Sequence, residues 1–344
     1  KSTMSYMFGK AFPERYFQVG IAEQNMASMA AGLALTGKIP FVNSFAVFSS
    51  GRAYDQIRSS ICIPNLSVRV CGSSAGLSDY GDGKTHQSVD DMAIMRVLPH
   101  MTVLSPMDAV ETEKMMWAMA EHKGPCYIRI NRNDLPVYTD PNEEYHIGKI
   151  TTIREGSDVV VFATGVMVSQ SVAAAELLEK EGISVRVVNI STIKPLDVAA
   201  LKECCQGVKG IVTAEEHNVM GGMGSAVCEA LCDSRLPEQL DLSRKGLHLF
   251  AVKAARRDQL AHALFLAGIF AQKRYRLFVL FKILFCFLVF LELGAFHNGL
   301  AKFHRFFGHH WILPAAVICR FLYTLRRAES CSALSLPSPS AFFL

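Results

Sequence analysis

The sequence lacks the paired cysteine and histidine spacing of a structural zinc site. Its ten cysteines are scattered, with Cys204 and Cys205 adjacent and Cys228 and Cys232 four residues apart. Scattered cysteines without a disulfide framework are typical of proteins in a reducing compartment. The chain also opens without the charged and apolar pattern of a secretory signal peptide. We therefore expect a cytoplasmic protein with no zinc site and with free cysteines.

A surplus of positive charge is lacking from the first two thirds of the chain. Residues 1–232 contain 20 lysines and arginines against 25 aspartates and glutamates, whereas residues 233–344 contain 15 against 6. A mildly acidic body gives no electrostatic basis for binding nucleic acid. Because half of the 344 residues are hydrophobic and 19% are charged, the sequence predicts a globular protein with a sizeable core.

The tail, residues 233–344, lacks both a regular alternation of strands and helices and an uninterrupted membrane span. It holds 15 of the 22 phenylalanines and 6 of the 11 histidines. Leu277–Phe296 is long enough to cross a bilayer, but Lys282 and Glu292 interrupt it. We interpret the tail as an atypical apolar, basic segment that is not a native continuation of the domains, as a shifted reading frame would produce. A membrane anchor through residues 277–296 is the alternative.

Strands and helices alternate through the rest of the sequence. A polar linker that begins with Asp140-Pro141 separates a first unit, residues 1–140, from a second unit, residues 150–232. The predicted strands are Ile39–Asn43, Ser67–Cys71, Met101–Leu104, Cys126–Ile130, Asp158–Ala163, Ser184–Ile190 and Ile211–Ala214. The predicted helices are Ile21–Leu35, Arg52–Cys62, Met107–Glu121, Val168–Lys180 and Gly221–Leu231. This alternation predicts two doubly wound α/β domains, each with a largely parallel sheet.

A carboxylate and two aromatic side chains are the first candidate functional groups. Glu23 stands at the start of an otherwise apolar predicted helix. It could be a helix N-terminal carboxylate, or, since apolar surroundings favour a protonated carboxyl group, it could exchange a proton with a ring nitrogen. Phe45 and Phe48 follow a predicted strand, where α/β proteins bind ligands. They could be core aromatics or a stacking platform for a flat heterocycle.

Two polar segments supply further candidates. The loop Gly81-Asp82-Gly83-Lys84-Thr85-His86-Gln87 could bind a polyhydroxylated substrate through Asp82 and His86, or it could be a solvated turn. Arg132 follows the strand predicted at Cys126–Ile130. Its planar guanidinium could bind a phosphate, or it could form a surface salt bridge.

Taken in order, these segments resemble the pyrimidine-binding domain of transketolases. The resemblance rests on GIAEQNM around Glu23, on the aromatics before GRAYDQ, and on GDGKTHQ and RNDLP. The stretches TGVMVSQSVAAAELLEKEGISVRVVNISTIKPLD and EEHNVMGGMGSAV resemble the transketolase C-terminal domain. The likeness covers residues 1–232, and it is similar to the separate C-terminal subunit of split transketolases. Deoxyxylulose-phosphate synthase and a non-catalytic scaffold subunit are the alternatives.

The resemblance implies a role for each candidate residue. Glu23 would hydrogen-bond the pyrimidine ring of thiamine diphosphate, against which Phe45 and Phe48 would stack. His86 would contact substrate and transfer a proton. Asp82 would contact substrate hydroxyl groups and Arg132 the sugar phosphate. The activity implied is transfer of a two-carbon ketol group between sugar phosphates.

Two positions depart from the family pattern, and one family motif is missing. Ser74, eight residues before Asp82, stands where transketolases commonly have a histidine, and Gly51 stands where a third aromatic is sometimes found. No Asn-Asn pair follows Gly81-Asp82-Gly83, so the GDG…NN motif that binds Mg²⁺ and diphosphate in the family is absent. We therefore expect the Mg²⁺ ligands in an N-terminal partner subunit, within a dimer of such pairs.

Overall fold

The computed structural model describes residues 3–78, 81–232 and 248–252. Within these ranges the strands are β1 (Phe41–Phe45), β2 (Arg69–Ser73), β3 (Thr102–Leu104), β4 (Cys126–Ile130), β5 (Thr151–Arg154), β6 (Val159–Ala163), β7 (Val185–Asn189), β8 (Thr192–Lys194), β9 (Gly210–Ala214) and β10 (His248–Val252). The α-helices are α1 (Tyr6–Ala11), α2 (Glu23–Leu35), α3 (Tyr54–Gln56), α4 (Asp91–Arg96), α5 (Ala109–Glu121), α6 (Met167–Glu179), α7 (Val198–Cys204) and α8 (Met223–Leu231).

The first sheet has the strand order β1-β2-β4-β3-β8. Its first four strands are parallel, and β8, which comes from the second half of the chain, pairs antiparallel with β3. The interior strand β4 is buried at four of its five positions, as expected for a sheet that is covered on both faces. Because β1 and β2 are parallel, their carboxyl ends share one edge, where Phe45 and the loop after β2 lie.

The second sheet has the strand order β10-β9-β6-β7-β5. Four of its strands are parallel, and the edge strand β5 pairs antiparallel with β7. Strand β6 reads Val-Val-Val-Phe-Ala and is buried throughout. A continuous run of β-branched and apolar residues is typical of a central parallel strand with helices on both faces.

The predicted fold class is confirmed, with differences in the shorter elements. The helix expected over Arg52–Cys62 is a longer helical segment, in which π-helical turns at Val47–Arg52 and Ile57–Cys62 flank α3. Strands β5 and β8 and helices α1, α4 and α7 were not predicted. These elements are three to seven residues long. Such lengths are too short to show hydrophobic periodicity.

Strand β10 lies in the stretch that the sequence analysis assigned to the tail. It pairs in parallel with β9 over all five residues, so the second sheet includes a strand from a stretch in which no regular alternation of strands and helices was found. A five-residue apolar run shows no helical or alternating period, so the sequence alone does not identify it. The domain bounds at 1–140, 150–232 and 233–344 remain a prediction. No helix in the part of the chain that the structure describes could cross a membrane, and residues 277–296 lie outside that part.

A buried polar cluster connects helix α4 to strand β4 of the first sheet. The Asp91 carboxylate accepts hydrogen bonds from Tyr127 Oη at 2.7 Å, from Ser88 Oγ at 3.0 Å and from Arg129 Nε at 3.1 Å. Asp91 is fully buried and Arg129 is 4% exposed. Burial alone would raise the pKa of Asp91, but Arg129 and the hydrogen bonds outweigh it and hold that pKa below its ordinary value. We call these four residues the Asp91 cluster.

Candidate active site

Glu23 is the first residue of α2 and is 6% exposed. One carboxylate oxygen accepts a hydrogen bond from Arg52 Nη1 at 2.9 Å, and the other lies 3.5 Å from Ser44 Oγ. The partial positive charge of the helix N-terminus favours a carboxylate at this place. Glu23 can therefore be a helix N-terminal carboxylate and still bind a ligand, because Ser44 engages its second oxygen only weakly.

Phe45 and Phe48 form a stacked pair at the end of β1. Their ring centroids are 6.2 Å apart with an interplanar angle of 21°, and both side chains are half-buried. His86 lies edge-on to both rings, with centroid distances of 5.5 Å to Phe45 and 5.2 Å to Phe48. Three of the predicted site residues are thus assembled into one aromatic group.

Arg52 joins this aromatic group to Glu23. Its guanidinium carbon lies 4.4 Å from the centre of the Phe48 ring, while its Nη1 binds the Glu23 carboxylate. Arg52 lies within GRAYDQ, but the motif alone assigns it no role. A usable signal was present, because positions four residues apart lie on the same face of a helix, and Arg52 follows Phe48 by four. We call Glu23, Phe45, Phe48, Arg52 and His86 the aromatic–carboxylate cluster.

Asp82 and Arg132 form an ion pair with each other. Arg132 Nη2 lies 3.0 Å from Asp82 Oδ2, and the two side chains are 39% and 37% exposed. A partly exposed pair of this kind contributes only about 0–1 kcal/mol. An anionic ligand could therefore take the place of Asp82 beside the guanidinium at little energetic cost. The loop 81–87 carries both Asp82 and His86, so it connects this pair to the aromatic–carboxylate cluster.

The two positions that depart from the family pattern have distinct environments. Ser74 follows β2 directly, is 2% exposed and has φ of +56°, in the left-handed region that side chains rarely adopt. Gly51 is exposed, and a Cβ atom added there would meet nothing within 4 Å.

Both parts of the chain match known families. Residues 1–137 match the transketolase pyrimidine binding domain, and residues 148–267 match the transketolase C-terminal domain. The chain belongs to the transketolase family. The resemblance deduced from the motifs is thereby confirmed, and the family match extends past residue 232, beyond β10.

Three relatives illustrate the kind of transketolase that this chain resembles. A Methanocaldococcus jannaschii protein named as a transketolase C-terminal section is 41% identical over 261 residues, which are 75% of this chain and 81% of that protein. A 6-deoxy-6-sulfo-D-fructose transketolase subunit of a Clostridium species is 41% identical over 65% of this chain and 70% of its own length. A solved split-gene transketolase, described as an inactive β4 tetramer, is 39% identical with a TM-score of 0.68, covering 79% of this chain and 89% of its own.

Transketolases depend on thiamine diphosphate, and the aromatic–carboxylate cluster has the chemistry to hold the pyrimidine ring of that cofactor. The half-buried stacked rings of Phe45 and Phe48 suit a flat heterocycle, and the weakly engaged oxygen of Glu23 can accept a hydrogen bond from it. In contrast, no group of three or more His, Cys, Asp or Glu side chains in the described ranges could hold a metal ion. The residues present suit the pyrimidine ring.

Proposed function

We propose that this chain binds the pyrimidine half of thiamine diphosphate in a split transketolase, and that it transfers a two-carbon ketol group between sugar phosphates only with a partner subunit. The observation that carries the proposal is the assembled aromatic–carboxylate cluster, in a chain that covers 81% of a relative named as a transketolase C-terminal section. The partner would supply the GDG…NN motif, Mg²⁺ and the diphosphate site, in a dimer of such pairs.

The names of the relatives support a divided enzyme. The Clostridium relative is called a subunit, and the split-gene structure of this kind of chain is described as inactive. An inactive assembly is the expected state of a subunit that holds only half of the cofactor site. The substrate in the Clostridium name carries a sulfo group, which a guanidinium binds as it binds a phosphate.

Each site residue has a task in this proposal. When bound, thiamine diphosphate supplies a nucleophilic carbon and an electron sink. Glu23 would share a proton with a ring nitrogen of the pyrimidine, and Phe45 and Phe48 would hold the ring by stacking. His86, from the loop that packs against both rings, would move a proton at a substrate hydroxyl group.

The same loop and the end of β4 would bind the substrate. Asp82 would orient hydroxyl groups of the sugar, because a carboxylate accepts hydrogen bonds from them. Arg132 would bind the terminal phosphate, since its planar guanidinium matches two phosphate oxygens at once. In this step the phosphate would replace Asp82 as the partner of Arg132, at the small cost expected for a half-exposed ion pair.

A substitution at Glu23 tests the proposal. In the full chain combined with its partner, Glu23→Gln should lower the turnover of xylulose 5-phosphate with ribose 5-phosphate by about 100-fold or more. Glu14→Gln is the control, because this carboxylate is exposed and pairs with the exposed Arg15 at 3.7 Å, and it should leave turnover unchanged. Wild-type turnover in Glu23→Gln would instead favour the scaffold alternative. Carbon dioxide release from pyruvate and glyceraldehyde 3-phosphate without ketol transfer would favour the deoxyxylulose-phosphate synthase alternative.

A further inference from the structure

The stretch Glu215-Glu216-His217-Asn218, which follows β9, has no task in the function proposed above. Glu216 belongs to the second domain and is 5% exposed, and its carboxylate contacts a segment of the first domain. It accepts a hydrogen bond from Ser78 Oγ at 2.9 Å and another from Ser78 N. Burial raises the pKa of Glu216 above its ordinary value, although Arg129 and the Ser78 hydrogen bonds oppose that shift.

The backbone of the first domain is shaped to receive this carboxylate. Gly76 has φ of +92°, and an added Cβ atom would overlap the Glu216 side chain. Glycine is therefore required there both by conformation and by close approach. Arg129 Nη2 also donates to the main-chain oxygen of Glu216 at 2.7 Å, which fixes the stretch from the side of the Asp91 cluster.

Ser78 lies at the base of the loop that carries Asp82 and His86. Two further hydrogen bonds close that base, from Gly76 N to Ser88 O at 2.9 Å and from Gln87 Nε2 to Leu77 O at 2.9 Å. Farther along the loop, Asp82 pairs with Arg132 at 3.0 Å and His86 packs against Phe45 and Phe48. The base at Ser78 is where the second domain adds to these contacts, through Glu216.

We propose that Glu216 is a positioning residue, through which the second domain holds Ser78, at the base of the loop 81–87, and so orients Asp82 and His86 toward the substrate. This inference rests on the function proposed above. A buried carboxylate is costly, and hydrophobic packing would serve stability as well or better. A carboxylate that bonds a short polar segment of the other domain is explained when that segment must be held in one geometry. The second domain then affects catalysis indirectly, through the loop that carries Asp82 and His86.

Glu215 provides a matched control in the adjacent position. It is 2% exposed, and its carboxylate accepts hydrogen bonds from Met223 N at 2.7 Å and Gly224 N at 2.9 Å, at the start of α8. Removal of either carboxylate therefore removes at least two hydrogen bonds from a buried acceptor. We expect only the removal of Glu216 to affect the loop of the first domain.

The test compares Glu216→Ala, Glu216→Gln and Glu215→Ala in the full chain. Hydrogen–deuterium exchange of residues 74–88 measures the hold on the loop, and kcat/KM with xylulose 5-phosphate, in the presence of the partner, measures its consequence. Glu216→Ala should speed exchange in this segment at least tenfold and lower kcat/KM about 10-fold to 100-fold, because small displacements of catalytic groups are costly. Glu216→Gln should restore both to within about threefold, since an amide can accept from Ser78 N and donate to Ser78 Oγ. Glu215→Ala should alter neither.

Wild-type exchange in residues 74–88 of Glu216→Ala, or the same kcat/KM loss in Glu215→Ala, would overturn the positioning role. If Glu216→Ala does not fold, Glu216→Asp replaces it, because the shorter side chain withdraws the carboxylate from Ser78, and the same two readouts decide. An absence of ketol transfer in the wild-type pair would refute the proposed function instead. The exchange data would still determine whether Glu216 holds the loop.

Discussion

Replacement of Asp91 by asparagine should strongly destabilise the protein. The variant keeps the shape of the side chain but removes the negative charge that faces Arg129 Nε at 3.1 Å, with both groups almost completely buried. A buried cation left without its partner costs about 3–5 kcal/mol. Domains are stable by only about 5–15 kcal/mol, so this loss would be a large share of the total.

Urea unfolding of the full chain, followed by circular dichroism, measures this loss. The midpoint should fall while the slope stays unchanged. Glu113→Gln is the control, because it converts an exposed helical carboxylate to its amide and should change stability by no more than about 0.5 kcal/mol. The pKa of Asp91 is lower in the folded protein than in the unfolded chain. The Asp91 carboxylate therefore stabilises the protein fully at pH values above its pKa in the unfolded chain, and this stabilisation is lost as the pH falls through its pKa in the folded protein. The difference from wild type should therefore shrink below about pH 4. A loss under about 1 kcal/mol at pH 7 would refute the argument.

Three further predictions concern the substrate, pH and the tail. Arg132→Ala should raise KM for phosphorylated ketoses at least tenfold and change hydroxypyruvate turnover much less, because a charge-assisted contact to phosphate is lost. Equal losses for both donors would mean that Arg132 has a structural role and does not bind the phosphate. Burial raises the pKa of Glu111 to about 7, so the folded state binds the extra proton and stability should fall as pH rises from about 4.5 to 7. Glu111→Gln should remove that decline in urea titrations, and an unchanged pH profile would contradict it. A chain ending at residue 232 lacks β10 and exposes the edge of β9, so it should unfold at lower temperature than a chain ending at residue 275; equal melting temperatures would contradict this.

The long periodic elements could be predicted from sequence, and so could the gathering of site residues at one sheet edge. The strands β4 and β6 and the helices α5 and α6 carry clear apolar patterns, and parallel strands bring their carboxyl ends together. The antiparallel pairing of β8 with the first sheet was not predictable, because a three-residue strand from the second domain carries no signal for its partner. The same holds for β10, whose sequence is a short apolar run.

The sequence predicted which residues form the candidate site, but it did not predict all the contacts between them. Motif order gave Glu23, Phe45, Phe48 and His86, and the structure brings these together. It did not give Arg52 as the link between them. The spacing of four from Phe48 indicates only the contact with that ring, because the ion pair with Glu23 spans 29 residues of sequence and leaves no local pattern. The bond from Glu216 to Ser78 spans 138 residues and is invisible for the same reason. The roles of the site residues in binding cofactor and substrate remain predictions.

The most direct test of the central claim is reconstitution of the divided enzyme. The purified full chain and an N-terminal subunit that carries the GDG…NN motif are assayed separately and together, with thiamine diphosphate, Mg²⁺, xylulose 5-phosphate and ribose 5-phosphate. The account predicts background turnover for each protein alone and robust ketol transfer for the mixture, because each chain holds half of the cofactor site. Robust turnover by this chain alone, or none by the mixture, would contradict the account.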